Sequence, residues 1–243
     1  MRRTAIPELF LGLLAIGAAV VLTALVISGT VRDVRHTRDT LSVTGSARKP
    51  ISANLVNWSL SITGEAKTRA VAARRLRREA VAVRAFLRQA GVPAAAITPS
   101  VVTSEKVVER LSKKRTRTYF TAGQRLDVST RQIDVVESVA VRLGDLLERG
   151  IEVSAEPLAY ISTELTQAKL AALTSATDDA RRRAEILVHG LGGKLGGMRS
   201  SSLGVYQVTP RNSTEVSDYG INDTSSREKD VTAVVQATFA VKR

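Results

Sequence analysis

The chain has no cysteine, two histidines, two methionines and one tryptophan among 243 residues. Without thiols there are no disulfides and no thiolate-bound metal, so nothing internal reports the redox compartment. The histidines, His36 and His189, stand far apart with no cysteine beside either, and the usual ligand spacing of a metal site is missing. Direct scavenging of oxidants has little chemical basis in a chain this poor in sulfur. Aromatics are scarce as well: only Phe86, Tyr119 and Phe120 accompany the most basic part of the chain. That is too few for the stacking platforms on which single-stranded nucleic acid binds.

One long apolar run is present. "LFLGLLAIGAAVVLTALVI", Leu9 to Ile27, carries no charge, and its 19 residues at about 1.5 Å rise approach the ~30 Å hydrocarbon core of a bilayer. It reads as a single N-terminal transmembrane helix, an anchor within residues 1–28, followed by a linker over 29–39 and a domain over 40–243. The alternative is a cleaved secretory signal, which also starts with basic residues such as Arg2 and Arg3 but whose apolar region usually spans only about 7–15 residues. Val26 and Ser28 are small enough for cleavage near Ser28 or Gly29. Arg32, Arg35 and Arg38 nearly balance the charge before the run, so the positive-inside count decides little. The expected location is the cytoplasmic membrane, crossed once, with the domain in the periplasm or extracellular space.

The net charge of +13 is unevenly placed. Residues 65–117 hold 14 Lys and Arg against 4 Asp and Glu, whereas residues 118–243 hold 15 against 16. Such a field attracts anionic surfaces and says little about fold. The candidate residues for an anionic-surface contact are Arg74, Arg77, Arg78, Arg84, Arg88, Lys113, Lys114, Arg115 and Arg117; the plainer account of all nine is a solvated helix face and a solvated hairpin tip.

Periodicity gives the elements. In "LSVTGSARKPISANLVNWSLSITGEAKT", Val56, Trp58, Leu60 and Ile62 alternate with Asn57, Ser59, Ser61 and Thr63, which is the period of a strand buried on one face. Two strands, 41–47 and 51–63, are expected to part at "ARKP". Ala73, Leu76, Ala80, Val83, Leu87 and Ala90 then follow at helical spacing, with Gly91 and Pro93 as the stop. Two strands flank the basic turn "LSKKRTR" as a hairpin. A shorter helix is expected over 132–149, a strand at "IEVSAEPLAYIST", and a long helix near 165–191 with Leu173, Ala176, Ala180, Ala184, Leu187 and Leu191 on one face. Two more strands enclose a polar stretch, about 209–229, that reads as a mobile loop. The order ββαββ then αβαββ predicts an α+β fold: mainly antiparallel sheet carrying two long helices and one shorter one, with a weak internal duplication.

Several motifs fail on inspection. "HGLGGKLGGM" is not a phosphate loop, because Lys194 is followed by Leu195 and the glycines end a helix rather than open one. Asp178 and Asp179 are followed within a turn by Arg181, Arg182 and Arg183, which predicts surface ion pairing. No cofactor is expected.

The chain resembles the SIMPL domain family, named from an animal protein that interacts with a pelle-like kinase. The resemblance rests on the segment from Leu41 to Thr68 quoted above, on "GVPAAAIT", on "YFTAGQRLDVSTRQIDVVESVAVRLGDLLERGIE" and on "AKLAALTSATDDARRRAEILVHGLGGKLGGM". It covers about residues 40–243. Departures are Ala96, where relatives often carry an acidic residue, and the Arg-rich first helix. The resemblance implies an exported α+β domain in the bacterial envelope. Some relatives form ring-like or channel-like oligomers and others are linked to oxidative-stress tolerance; no catalytic residues are carried over. The expected function is accordingly a non-enzymatic, membrane-tethered envelope protein acting by self-assembly or through a protein partner. The alternative is a basic domain on an anionic surface, lipid headgroups or a wall polymer, and an enzyme is the remote third reading.

Overall fold

The computed structural model of the chain describes residues 39–112 and 115–242. The run from Leu9 to Ile27 lies outside them, and no helix among the described residues is long and apolar enough to cross a membrane. The described residues fall into two units: a smaller one of 39–47, Leu173–Gly204 and 234–242, and a larger one of Arg48–Ala172 and Val205–Ala233.

Strand β1, Thr40–Ser52, runs straight through Pro50 instead of breaking there. It is the edge strand of its sheet, where a missing N–H need not cost a ladder bond. The break falls at Asn54, whose side chain donates to Thr163 Oγ1 and accepts from the Thr163 amide.

Strand β2, Leu55–Ala66, organises the larger unit. As the alternation predicts, Val56, Trp58, Leu60 and Ile62 are all buried. Strands β3 (Ile97–Pro99), β4 (Thr103–Ser112) and β5 (Arg115–Thr130) follow, and β5 pairs antiparallel with β2 from Val56↔Thr130 to Ala66↔Phe120. Strands β3 and β4 lie along β5, and the short β6 (Val153–Ala155) and β7 (Ala159–Ile161) lie along β2, giving a six-stranded sheet. The predicted hairpin is β4 with β5.

Helix α1, Arg69–Gln89, begins where the Thr68 hydroxyl accepts from the Val71 amide. It ends at Gly91, whose φ of +99° suits glycine, with the Val92 amide turned back to the Leu87 carbonyl. Its buried face carries Leu76, Ala80, Val83 and Leu87, with Ala72 in place of the expected Ala73, and this face shares one core with the inward residues of β2. The helix lies close because β2 offers Gly64: a Cβ there would sit 2.7 Å from the Leu76 nitrogen. The helix expected over 132–149 is two, α2 (Ile133–Val141) and α3 (Gly144–Glu148). The amides of Arg142 and Leu143 turn to carbonyls three residues back, and Gly144 is a poor residue for a helix interior. Ile133, Val136, Val139 and Leu146 are buried all the same.

In the smaller unit, helix α4 (Leu165–Gly190) contributes its C-terminal part and is followed by β8 (Lys194–Leu203). Its buried stripe there is Ala176, Ala180, Ala184 and Val188, whereas Leu187 and Leu191, expected on that face, are exposed. The helix lies close to β1 at Gly45, where a Cβ would stand 2.3 Å from both the Ala176 carbonyl oxygen and the Ala180 nitrogen, and Leu191 falls beyond the helix end at Gly190. Each unit thus has a long helix laid over a strand at a glycine. The second half of β11 (Glu228–Lys242) lies between β1 and β8 and supplies Ala237 and Phe239 to this core.

The stretch 209–229, read from sequence as a loop, contains structure of its own. Strand β9 (Gln207–Pro210) pairs parallel with β10 (Ile221–Asn222) and antiparallel with the first half of β11. The architecture is α+β with mainly antiparallel sheets, as expected.

Candidate functional site

On a helix of 3.6 residues per turn, Arg74, Arg77, Arg78, Arg84 and Arg88 fall within an arc of about 120° centred on Val81, opposite the core face. The structure leaves Arg74, Arg77, Arg78 and Arg88 exposed, and none of them makes an ion pair among the described residues. Arg84 is half-buried and donates from Nε to the Ala80 carbonyl. Arg115 is exposed at the start of β5, and Lys113 and Lys114 lie outside the described residues. Arg117 departs from the expectation. Its guanidinium pairs with Glu65 and Glu109 and stacks 4.7 Å from the centre of the Tyr119 ring, so its charge is neutralised within the sheet. Of the nine candidates, five thus form a stripe on α1 and Arg115 is exposed at the hairpin, while Arg117 is engaged with Glu65 and Glu109.

A residue that sequence reasoning passed over, Arg75, stands between that stripe and the core. Its Nε donates to Glu79 Oε1 at 2.7 Å, and its other nitrogens reach the Glu65 carbonyl and Glu152. Glu79 above all, by hydrogen bond and charge, raises the Arg75 pKa. The spacing of Arg75 and Glu79, four apart on a helix, was the available signal. Arg75, Arg117, Lys67, Glu65, Glu152 and Tyr119 line a cleft of about 630 Å³. Because Arg75 and Arg117 already face carboxylates, the cleft presents no field of one sign.

Asp223 and Lys229 form a buried pair at 3.1 Å, with side chains only 8% and 3% exposed. The Lys229 ammonium also donates to the Asp223 carbonyl, and the Ser225 amide and hydroxyl donate to Asp223 Oδ1. Burial alone would raise the Asp223 pKa, but the Ser225 donors and Lys229 override it and hold the carboxyl at about 2. Every polar atom of this pair faces a partner, which is the mark of a structural fastening. Nearby, the Tyr160 hydroxyl donates to Glu137; burial first, and then that hydrogen bond, push its pKa up.

Asp179 accepts from the Ser46 amide at 3.0 Å and pairs with Arg183 at 2.8 Å, which lowers its pKa and fixes β1 to α4 within the smaller unit. The ion pairing expected after "TDD" is thus found at Asp179. Gly192, at φ +75°, and the Gly193 amide bonded to Val188 close α4, so the glycine run is a helix end as read. Past that end lies a cavity of about 630 Å³ whose lining includes Asp39, Leu41, Val188, Leu191, Gly193 and Val241. Among the described residues no cluster of three His, Asp or Glu could hold a metal ion.

No curated protein matches the chain. Among solved structures, similarity extends to a "putative aminohydrolase" from methicillin-resistant Staphylococcus aureus, at 15% identity over 56% of this chain and 39% of that one, TM-score 0.25. It extends also to a "putative amidohydrolase/peptidase" from Burkholderia cenocepacia, at 11% identity over 58% of this chain and 36% of that one, TM-score 0.22. The chain spans well under half the length of either, and likeness at this level carries no argument. A family model matches residues 41–239, covering β1 through most of β11. The chain belongs to the SIMPL family, described as a protein of unknown function (DUF541).

Proposed function

We propose that the chain is a non-enzymatic envelope protein, tethered through Leu9 to Ile27, whose domain acts by joining further copies of itself or a protein partner. The observation that supports this reading is strand β4. Nine of its ten residues are exposed, and among the described residues it pairs with β5 alone, leaving a long row of backbone donors and acceptors on its far side. An open edge of this kind pairs readily with another strand. The mass of the full chain in detergent, followed against concentration, is expected to exceed that of one copy and to hold in high salt, where purely ionic contacts fade. Val108→Lys, on the exposed edge strand, is expected to lower it. A single-copy mass at all concentrations rules the assembly out.

The stripe on α1 favours a second reading, contact with an anionic surface. Each basic residue close to an anionic leaflet adds about 1 kcal/mol. Residues 39–243 are then expected to bind anionic vesicles at low salt and to release them at high salt, with Arg74, Arg77 and Arg78→Ser weakening the contact. Equal binding to neutral vesicles, or none at low salt, leaves the stripe as a solvated face.

A further inference from the structure

We infer that a hollow between α1 and β3 in the larger unit binds a small free carboxylate carried on an apolar body, held by Arg84 and Arg88. The hollow stands apart from both readings above, since it is neither an open edge nor an extended surface. Val81, Arg84, Ala85 and Arg88 recur at the spacing of a single helix face, and with Ile97 and Pro99 of β3 they line a cavity of about 340 Å³. That volume lies at the small end of ligand pockets, which span about 300–1,000 Å³.

The lining decides the chemistry. No acidic residue borders the hollow, and neither arginine meets a carboxylate among the described residues. A charge withdrawn from water costs free energy unless it is paired. Arg84 is half-buried, yet its Nε donates only to the Ala80 carbonyl of its own helix. That bond fixes the fork and leaves its terminal nitrogens unused among the described residues. Arg88 stands about 6 Å further along the axis and borders the same space. A guanidinium takes a carboxylate through two parallel hydrogen bonds, so a fork held in place suits this anion. The end of α1 adds nothing, because its free carbonyls repel an anion; the two side chains carry the contact. Val81, 55% exposed, together with Ile97 and Pro99 supplies the apolar wall against which the body of the ligand rests. A phospholipid headgroup fits less well, since its apolar chains lie beneath the membrane surface and away from such a wall.

The probe is para-trifluoromethylbenzoate, followed by fluorine NMR against the full chain in a non-ionic detergent. Detergent alone and the uncharged para-trifluoromethylbenzyl alcohol are the references. The expected result is a saturable shift of the carboxylate at millimolar concentration that neither reference shows. Arg84→Gln is expected to weaken binding about tenfold, the loss of hydrogen bonds to a charged group. Arg84→Lys is expected to weaken it less, because the charge stays while the fork goes. Arg84→Gln with Arg88→Gln is expected to abolish the shift, and so is Val81→Asp, which sets a carboxylate in the hollow. Glutamine is a good helix former, so α1 keeps its form, and unchanged urea midpoints check this. Arg74, Arg77 and Arg78→Ser removes charge from the same helix outside the hollow and is expected to leave the shift in place. A carboxylate shift no larger than that of the alcohol, or one that survives Arg84→Gln with Arg88→Gln, overturns the inference. A shift lost equally with Arg74, Arg77 and Arg78→Ser overturns it too, because the contact is then general attraction to a basic helix.

Discussion

Asp223→Ala is expected to destabilise the fold by about 3–5 kcal/mol, because it strands the Lys229 ammonium in a site where the lysine side chain is 3% exposed. Pairing it with Lys229→Met should recover part of the loss, since removing both partners of a buried pair is far milder than removing one. Recovery stays partial because Asp223 also accepts from Ser225 and Ser226. The carboxyl sits at about 2 in the fold against an ordinary 3.8. A folded pKa below the unfolded one gives stability that is complete above the unfolded value and disappears as pH falls through the folded one. The denaturation midpoint of the wild type is therefore expected to drop between about pH 5 and pH 2, with a smaller drop for Asp223→Asn. A wild type and variant with the same acid profile would show that the pair contributes nothing to this dependence.

Trp58→Ala is expected to cost about 3–5 kcal/mol as well, the usual range for truncating a core aromatic. Trp58 is 3% exposed and its indole N–H donates to the Glu156 carbonyl at 3.0 Å, tying β2 to the segment between β6 and β7. Trp58→Phe keeps most of the apolar volume but leaves that carbonyl without its donor, and a smaller loss is expected. Urea midpoints at unchanged slope measure both. A midpoint unmoved by Trp58→Ala would be incompatible with the burial of the inner face of β2.

The elements most legible in the sequence were those with one face in water and one in the core. Strand β2 and helix α1 alternate cleanly because Ser and Thr, or Arg, occupy the other side. In helix α4 the expected face held at Ala176, Ala180 and Ala184 and failed at Leu187 and Leu191, toward and past the helix end. The close approach that the alanines permit was not readable, since its partner, Gly45, lies far away in sequence. Pro50 misled because a proline breaks a central strand but not an edge, and which strands are edges is a property of the assembled sheet. The stretch before β11 looked like a loop because its polar residues find each other: Lys229 is charged, and only its carboxylate and carbonyl partners allow its burial. Of the candidate basic residues, the helical arc was readable from spacing alone. The use of Arg117 was not, since Glu65 meets it from another strand.

Strand β4 has one more property, which bears on the geometry of any assembly through its edge. Glu105 and Glu109 share one face of the strand, and Lys106 and Arg110 share the other. If two copies met edge to edge about a two-fold axis, residues facing the same side would have to lie opposite one another. An axis through Val107 then sets Glu105 against Glu109 of the second copy, and an axis through Val108 sets Lys106 against Arg110. Both central registers place like charges directly opposite, which is unfavourable. The edge is thus poorly suited to a closed symmetric dimer and better suited to a different strand on the next copy. Head-to-tail contacts of that kind close into a ring when the rotation between copies divides a full turn, and otherwise continue as a filament.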